Sequence, residues 1–270
     1  MPEGHVTHRL ATEIEQRFAR RVVHASSPQG RFVEGAALID GHKVLGAESV
    51  GKHLFVRFPH ALFLHVHLGL YGRFTFGDAP VPEPVGEIRL RLVSRTSWAD
   101  LRGATRCEIL DPAGKDDIEA RLGDDPLRAE SNGERAWKRI SASRASIATL
   151  LMDQSVVAGS GNIFRAEVLF RSGIDPMREG RSITEDEWAA LWGDLVSLMG
   201  YAYRHGRVDT VRAAHLPEAM GRAPREDAHG GEVYVYRRAG QACHVCGDTI
   251  RRRELGNRNL FWCPTCQSGA

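Results

Sequence analysis

The first apolar residues of the chain recur with a helical spacing. Val6, Leu10, Ile14 and Phe18 stand four residues apart, which places them along one face of an α-helix. The pattern therefore predicts a short amphipathic helix that ends at about Arg20.

Between Val22 and Leu110 the apolar positions form short runs, some of which alternate with polar residues. Runs of this kind cover His53–Phe58 and residues 62–68 and 88–93. Glycine, proline and aspartate interrupt them repeatedly. Short strands bounded by turn residues are typical of antiparallel sheets, so we expect a β-sandwich or barrel in this part of the chain.

The remaining chain has mainly helical periodicity. We expect a turn at residues 111–114, a boundary near Asp124, a long loop over 206–232 and a short strand at 233–236. Thr184 and Glu187 have the spacing of a capping box at the start of the last long helix. The predicted helices cover residues 134–141, 146–152, 163–171 and 185–205.

Length and composition are those of an ordinary globular protein with two or three units. The chain has 270 residues, of which 42% are hydrophobic and 26% charged. It contains no apolar run of about 18 residues, as a transmembrane helix requires. Its N-terminus also lacks the apolar core of a signal peptide. We therefore expect a cytoplasmic protein with no membrane partner.

Positive charge is concentrated near the C-terminus. The whole chain carries a net charge of only +2, but six arginines between Arg237 and Trp262 face two acidic residues, a local charge of +4. A basic segment of this kind can follow a phosphate backbone. The alternative is a solvated protein surface with no partner.

Four of the five cysteines have the spacing of a zinc site. Two residues separate the members of each pair, and sixteen residues separate the pairs. This spacing predicts one structural zinc ion held by four thiolates, and metal binding would supply folding energy that so short a segment lacks. A metal-free loop or two disulfides are the alternatives. The four residues are Cys243, Cys246, Cys263 and Cys266.

The hairpin between the cysteine pairs is rich in arginine. Arg258 stands at its expected tip between two asparagines, after a run of three arginines. The rigid guanidinium fork suits a phosphate group, although an exposed turn residue is the alternative. The fifth cysteine, Cys107, lies in an apolar run and is expected in a core.

Four widely spaced motifs together resemble the formamidopyrimidine-DNA glycosylase/endonuclease VIII family. They occur in the family's order and spacing over nearly the whole chain. The resemblance implies an α+β multidomain fold: an N-terminal helix with an antiparallel β-sandwich (1–115), a helix–two-turn–helix domain (116–236) and a C-terminal zinc-finger hairpin (237–270). The motifs are Met1-Pro-Glu-Gly4, Gly51-Lys-His-Leu-Phe55, Met152-Asp-Gln154 with Gly161-Asn-Ile-Phe164, and Gly256-Asn-Arg-Asn-Leu-Phe-Trp-Cys-Pro-Thr-Cys-Gln267.

The resemblance also implies a bifunctional DNA glycosylase and abasic-site lyase. Its partner is double-stranded DNA with oxidised bases or abasic sites, and the enzyme is a monomer associated with the nucleoid. Removal of Met1 frees the amine of Pro2, and an α-amino group with a pKa of about 7.7–8.0 is partly neutral in the cell. That amine attacks the sugar and forms a Schiff base, after which β,δ-elimination cuts the strand. Glu3 handles protons.

Further residues are implied to hold the DNA. Lys52, Asn162 and Arg258 contact phosphates, and Lys52 also aids base release. The resemblance places Lys52 and Arg258 among the catalytic residues, together with Pro2 and Glu3. Leu70 and Tyr71 fill the gap that the flipped base leaves. From the residues alone, the alternatives are a surface lysine, a helix N-cap, an exposed turn arginine and a hairpin turn.

Two departures from the family pattern bear on which damaged base the enzyme prefers. His5 and Val6 stand where some members carry a second glutamate, so this chain must do without that acid or use His5. The Leu70-Tyr71 pair resembles the endonuclease VIII branch, and no match to the purine branch's second void-filling loop occurs around residues 100–106. We therefore expect oxidised pyrimidines as substrates.

Three alternatives stay open at this point. One is oxidised-purine specificity, that is formamidopyrimidine or oxoguanine. The second is a non-catalytic zinc-ribbon protein that binds damaged DNA, against which the intact Pro2 and Glu3 argue. The third is a zinc-ribbon RNA-processing factor, but the chain has none of the RNA-binding modules that such a protein would carry.

Overall fold

The structure is a computed structural model that describes residues 2–227 and 230–268. The chain forms two compact units, Met1–Arg121 and Leu122–Ala270. The predicted removal of Met1 concerns a residue outside the described ones. None of the helices in the described ranges has both the length and the apolar character needed to cross a membrane.

The first unit begins with helix α1, Gly4–Phe18. Ile14 and Phe18 are completely buried on its apolar face, as the four-residue spacing predicts. The helix ends two residues before the expected Arg20, because the chain turns there to begin the first strand.

Two antiparallel sheets share the core of the first unit, which confirms the predicted sandwich. One sheet has the order β3-β4-β5-β9 and the other β2-β1-β7-β8-β6. The strands are β1 Val22–Ser26, β2 His42–Lys43, β3 Gly46–Val50, β4 His53–Phe58, β5 Leu62–His67, β6 Arg73–Asp78, β7 Leu90–Val93, β8 Ser97–Arg102 and β9 Arg106–Leu110.

The four-stranded sheet has two chemically different faces. Leu54 and Val56 of β4 point into the core and are fully buried. The alternate residues His53 and Phe55 lie on the opposite face, because successive side chains of a strand point to opposite sides. This second face carries most of the histidines described below.

Two helices in the first unit were not predicted. Helix α2, Val33–Ile39, interrupts the strand region because Ala36 and Ile39, three residues apart, bury one helical face. Helix α3, Pro112–Glu119, replaces the turn predicted at residues 111–114. Asp111 is its N-cap and accepts a hydrogen bond from the Gly114 amide at 2.8 Å, so the residues taken for a turn are the start of a helix.

The second unit is mainly helical, as the periodicity predicts. Its longest helix begins at the expected capping box: the Glu187 amide donates to Thr184 Oγ1 at 3.2 Å, and the Thr184 amide donates to Glu187 Oε2 at 2.8 Å. The helices are α4 Glu134–Ile140, α5 Ile147–Leu150, α6 Asn162–Arg171, α7 Glu185–His205 and α8 Pro217–Met220, followed by the hairpin strands β10 Arg251–Glu254 and β11 Asn259–Trp262.

The strand predicted at residues 233–236 is wrong. The amides of Tyr234, Val235 and Tyr236 donate to the carboxylate of Glu167 at 2.7, 2.9 and 2.8 Å instead of to a neighbouring strand. Glu167 lies on α6 and is completely buried. The apolar residues of this segment are buried as a strand's would be, but a side chain replaces the sheet as hydrogen-bond acceptor.

Candidate active site and metal centre

The two residues predicted to carry the chemistry directly precede α1. Glu3 is the N-cap residue of the helix, with extended backbone angles of −109° and 176°, and only 1% of its surface is exposed. Pro2 is half-buried. A buried carboxylate beside the second residue is a suitable proton carrier for a reaction at an amine released there.

A hydrogen bond ties the start of α1 to the turn that carries Lys52. Thr7 Oγ1 lies 2.8 Å from the carbonyl oxygen of Gly51 and 2.9 Å from that of Gly4. Gly51 and Lys52 form the two-residue turn between β3 and β4, where Val50 pairs with His53. Gly51 adopts a positive φ of 58°, which such a tight hairpin turn demands of one central residue.

A second contact fixes the same helix to the same hairpin. The Ala47 amide of β3 donates to Glu15 Oε2 of α1 at 2.7 Å. Because both ends of α1 are held, the segment with Pro2 and Glu3 lies at the same end of the first unit as Lys52. The structure therefore brings these three predicted residues to one region.

Leu70 and Tyr71 form an exposed apolar tip after β5. Their exposed fractions are 44% and 84%, although apolar residues of this size are usually covered. The tip is a tight turn, in which the Gly72 amide donates to the Leu68 carbonyl at 3.0 Å. A Cβ on Gly72 would lie only 2.3 Å from that oxygen, so the turn requires glycine there.

The segment at residues 100–106 contains no long loop. Strand β8 ends at Arg102 and β9 begins at Arg106, so only three residues connect them. Asp100 is buried and accepts two hydrogen bonds from Arg91, at 2.7 and 2.9 Å. It holds neighbouring strands together and is not available to fill a gap in DNA.

Three histidines on the outer face of the four-stranded sheet were not predicted to have a role. His53 Nδ1 lies 2.9 Å from His65 Nε2, and His65 Nδ1 lies 2.9 Å from Glu108 Oε1. His67 Nδ1 lies 3.1 Å from Thr105 Oγ1. Their alternation along β4 and β5 is visible in the sequence, but it does not show which strand lies beside which.

The environment keeps these histidines uncharged. The pKa of His53 is lowered to about 3, mainly by burial and in addition by the nearby His65, His67, Arg121 and Lys52. Burial is also the main cause that lowers the pKa values of His65 and His67. Near neutral pH, the face beside the Lys52 turn therefore presents neutral imidazoles.

In the second unit, Asn162 is the first residue of α6 and Gly161 is the N-cap, so the simple N-cap alternative for Asn162 is wrong. Its Nδ2 donates to the carbonyl oxygen of Asn259 at 3.0 Å, and the buried Arg165 donates to its Oδ1. These bonds couple the N-terminus of α6 to strand β11, directly beside Arg258.

Arg258 lies in the turn between β10 and β11, as predicted. Its carbonyl oxygen accepts a hydrogen bond from the Leu255 amide at 2.8 Å, which closes the turn. The residue is half-buried, whereas the three arginines of β10 are exposed. The two predicted phosphate-binding residues of this unit, Asn162 and Arg258, therefore lie near one another.

The four predicted zinc ligands converge. Their sulfur atoms all lie within 4.8 Å of one another; Cys243 and Cys266 are 3.8 Å apart and Cys246 and Cys263 are 3.4 Å apart. In a tetrahedral site with Zn–S bonds of about 2.3 Å, the sulfurs are roughly 3.8 Å apart. The residues present therefore fit one zinc ion, whose chemistry here is structural.

Burial opposes ionisation of Cys263 when no metal is bound. Burial and neighbouring thiols raise the pKa of Cys263 to about 11, so without a metal the thiolate form is unfavourable. Gln267 supports the site, because its Oε1 accepts from the Cys263 amide at 2.9 Å and its Nε2 donates to the Ile174 carbonyl at 3.0 Å. The metal centre is thereby fixed to the segment after α6.

Three family profiles match consecutive parts of the chain. The formamidopyrimidine-DNA glycosylase N-terminal domain matches residues 1–107. The H2TH domain of formamidopyrimidine-DNA glycosylase matches residues 122–212. A zinc finger found in FPG and IleRS matches residues 240–269. The matches confirm the family resemblance of the sequence motifs and the predicted kind of metal site.

Full-length relatives and solved structures agree with the profiles. Endonuclease 8 1 of Mycobacterium tuberculosis is 49% identical over 275 residues, covering 99% of this chain and 100% of the relative. A formamidopyrimidine-DNA glycosylase of Pseudomonas savastanoi is 30% identical, with coverages of 99% and 98%. Lactococcus lactis Fpg, solved with abasic-site DNA, has a TM-score of 0.79 at 19% identity and coverages of 99% and 100%; this likeness shows a shared fold.

We expect Cys263→Ser to lose the metal and to unfold the C-terminal module, because three thiolates cannot close a structural zinc site. Elemental analysis of purified protein should give one zinc per wild-type chain and none for the variant. Cys107→Ser is the matched control. Cys107 packs against the core, as expected, and burial raises its pKa to about 12. Full zinc in Cys263→Ser would contradict the site.

Proposed function

The chain belongs to the formamidopyrimidine-DNA glycosylase/endonuclease VIII family of DNA glycosylases and abasic-site lyases, and from this premise we propose that it excises oxidised pyrimidines through a Schiff base on Pro2. The observation that carries the proposal is the geometry at the start of α1: the buried Glu3 follows Pro2, and Thr7 ties that helix turn to the Lys52 hairpin. A nucleophile, a proton carrier and a cation for phosphate are thus held in one region.

The proposed reaction begins with loss of Met1, which turns Pro2 into a secondary amine. Its nitrogen attacks the sugar C1′, and the bond to the damaged base breaks, so that the base leaves with the electron pair and takes up the proton that the nitrogen loses. Glu3 protonates the ring oxygen as the sugar opens. The product is an iminium that joins C1′ to the Pro2 nitrogen.

The iminium then drives strand cutting. It acts as an electron sink that acidifies the hydrogens on C2′, so loss of one of them expels the 3′ phosphate by β-elimination. Loss of a further proton expels the 5′ phosphate by δ-elimination, and water finally releases the sugar fragment from Pro2. His5 is buried in the first turn of α1 where some family members carry a second acid, so we assign these proton transfers to Glu3.

We assign the DNA contacts to residues of both units. Lys52 of the first unit and Asn162 and Arg258 of the second bind phosphates, through charge-assisted hydrogen bonds in the case of the two cations. The exposed tip with Leu70 and Tyr71 fills the space left by the flipped nucleotide and recovers part of the lost stacking. Damaged or abasic double-stranded DNA is therefore the proposed partner.

Two observations support a preference for oxidised pyrimidines over oxidised purines. The chain is 49% identical to a relative named Endonuclease 8 1 and only 30% identical to one named formamidopyrimidine-DNA glycosylase. The three-residue connection between β8 and β9 leaves no second loop at residues 100–106. Oxidised-purine specificity is the alternative, and the cleavage of defined duplexes described below tests it.

The remaining parts of the proposal concern organisation. We propose that residues 116–236 act as the helix–two-turn–helix domain and residues 237–270 as the zinc finger, with residues 1–115 as the catalytic domain. We also propose that the enzyme acts as a monomer at the cytoplasmic nucleoid, where its proposed DNA substrate lies.

Cleavage of defined duplexes tests the function. We expect faster cutting of thymine glycol and dihydrouracil duplexes than of oxoguanine duplexes, and cutting of a plain abasic site. Both ends of the gap should carry phosphate, as δ-elimination requires. Faster cutting of oxoguanine would support the purine alternative, and binding without cutting by Met1-processed protein would support the damage-binding alternative.

Arg258→Ala should weaken DNA binding without loss of zinc. If its guanidinium contacts one phosphate, the slope of log affinity against log salt concentration should fall by about 0.9. Arg31→Ala removes an equal charge from an exposed site before α2 and serves as the control. An unchanged slope in Arg258→Ala, with zinc retained, would refute the phosphate contact.

A further inference from the structure

A chain of hydrogen bonds crosses three strands on the outer face of the four-stranded sheet. It runs from Glu108 on β9 through His65 on β5 to His53 on β4, with both links 2.9 Å long. The rings of His53 and His65 are inclined by only 15°, with centroids 5.1 Å apart. That geometry is the one expected for two rings joined edge to edge through a hydrogen bond.

The protonation states of the three side chains determine which atom donates each of these hydrogen bonds. An ionised carboxylate only accepts hydrogen bonds, so His65 Nδ1 must carry the proton that faces Glu108. A neutral imidazole has a single N–H, so His65 Nε2 is an acceptor. His53 Nδ1 must then donate to it. It follows that His53 Nε2 bears no proton and offers a lone pair on the side of the ring away from His65.

Two cations and two imidazoles surround His53. Lys52 precedes it in the hairpin turn, His67 is its cross-strand partner, and Arg121 follows α3. These three groups and His65 are close enough to lower its pKa, in addition to burial, which is the largest cause. Further along the face, Phe55 lies beside His65, and Arg106 lies 3.7 Å from Glu108.

Two other roles for this cluster fit the structure less well. In the part of the chain that the structure describes, only the four cysteines bring three or more metal-binding atoms close together, so the histidines do not form a metal site. A ring whose pKa is about 3 is also a weak base near neutral pH and a poor proton acceptor in catalysis. An unprotonated ring nitrogen on the residue that directly follows Lys52 is best suited to accept a hydrogen bond.

We propose that Glu108 and His65 set the tautomer of His53 so that, when DNA binds, its unprotonated Nε2 accepts a hydrogen bond from the Lys52 ammonium and orients that ammonium toward a phosphate. His53 is thus a positioning residue, and Glu108 acts on Lys52 from two strands away. The inference rests on the proposed phosphate role of Lys52.

Imidazole nitrogen NMR of the free, full-length protein tests the tautomers without DNA. We expect His53 and His65 both to carry the proton on Nδ1 near neutral pH, with the signals assigned through single histidine variants. Glu108→Leu should change both tautomers, whereas Glu108→Gln keeps an acceptor oxygen and should preserve them. A proton on His53 Nε2 in the wild type, or no change in Glu108→Leu, would overturn the inference.

DNA binding tests the link to Lys52 with two matched variants. The side-chain amide of Asn can replace Nδ1 but not Nε2, whereas Gln can place an acceptor oxygen near Nε2. We expect His53→Asn to weaken binding of an abasic duplex about tenfold, the equivalent of one charge-assisted hydrogen bond. Its salt slope should fall by about 0.9, as in Lys52→Ala. His53→Gln should retain the wild-type slope.

Combining the variants separates positioning from simple destabilisation. His53→Asn added to Lys52→Ala should cause no further loss of affinity, because both remove the same contact. Additive losses, or a wild-type slope in a His53→Asn protein with a normal melting temperature, would overturn the proposal. If His53→Asn does not fold, the salt dependence of DNA binding is compared between Glu108→Leu and Glu108→Gln. The proposal expects a smaller slope only in Glu108→Leu, and equal slopes would overturn it.

These outcomes are distinct from failure of the proposed function. If wild-type protein does not cut abasic DNA, the function is wrong whatever the tautomers are. If it cuts normally while His53 carries its proton on Nε2, only the positioning role is wrong.

Discussion

The hydrogen bond between the Thr7 hydroxyl and the Gly51 carbonyl is the contact on which the proposed chemistry depends. The amine of an N-terminal residue has no side chain to direct it, so it can act only where the first helix turn is fixed. Thr7 fixes that turn to the hairpin of Lys52 at 2.8 Å, and burial of Ile14 and Phe18 holds the rest of the helix against the core. The same constraint keeps Glu3 buried beside Pro2, where a proton carrier is needed.

In the second unit, metal ligands and buried side chains hold short segments in place where little apolar surface is available. The zinc ligands order the C-terminal hairpin, and Gln267 links them to the segment after α6. Asn162 links the start of the same helix to the hairpin near Arg258. The carboxylate of Glu167 orders residues 234–236 in place of a sheet. The two proposed phosphate-binding residues, Asn162 and Arg258, thus gain the rigidity of a helix and of a metal site.

Local signals made much of this structure predictable. The cysteine spacing predicted the metal centre, and the Thr184–Glu187 pair predicted the start of α7, because each signal involves residues close in sequence. The sequence predicts a turn in place of α3 because Asp and Pro begin both structures. The pattern of residues 233–236 predicts a strand because it shows burial but not the hydrogen-bond acceptor, which lies 67 to 69 residues away. The hydrogen bonds that join Glu108, His65 and His53 are not predictable from local sequence for the same reason, since they link residues 43 and 12 positions apart.

The identity of the attacking amine can be measured directly. Met1-processed protein is incubated with an abasic duplex and borohydride, which reduces the Schiff base to a stable bond, and the adduct is digested and analysed by tandem mass spectrometry. The account predicts that the sugar fragment is attached to the nitrogen of Pro2 in the N-terminal peptide. Attachment to a lysine side chain, with Lys52 as the nearest rival in the same region, would contradict it.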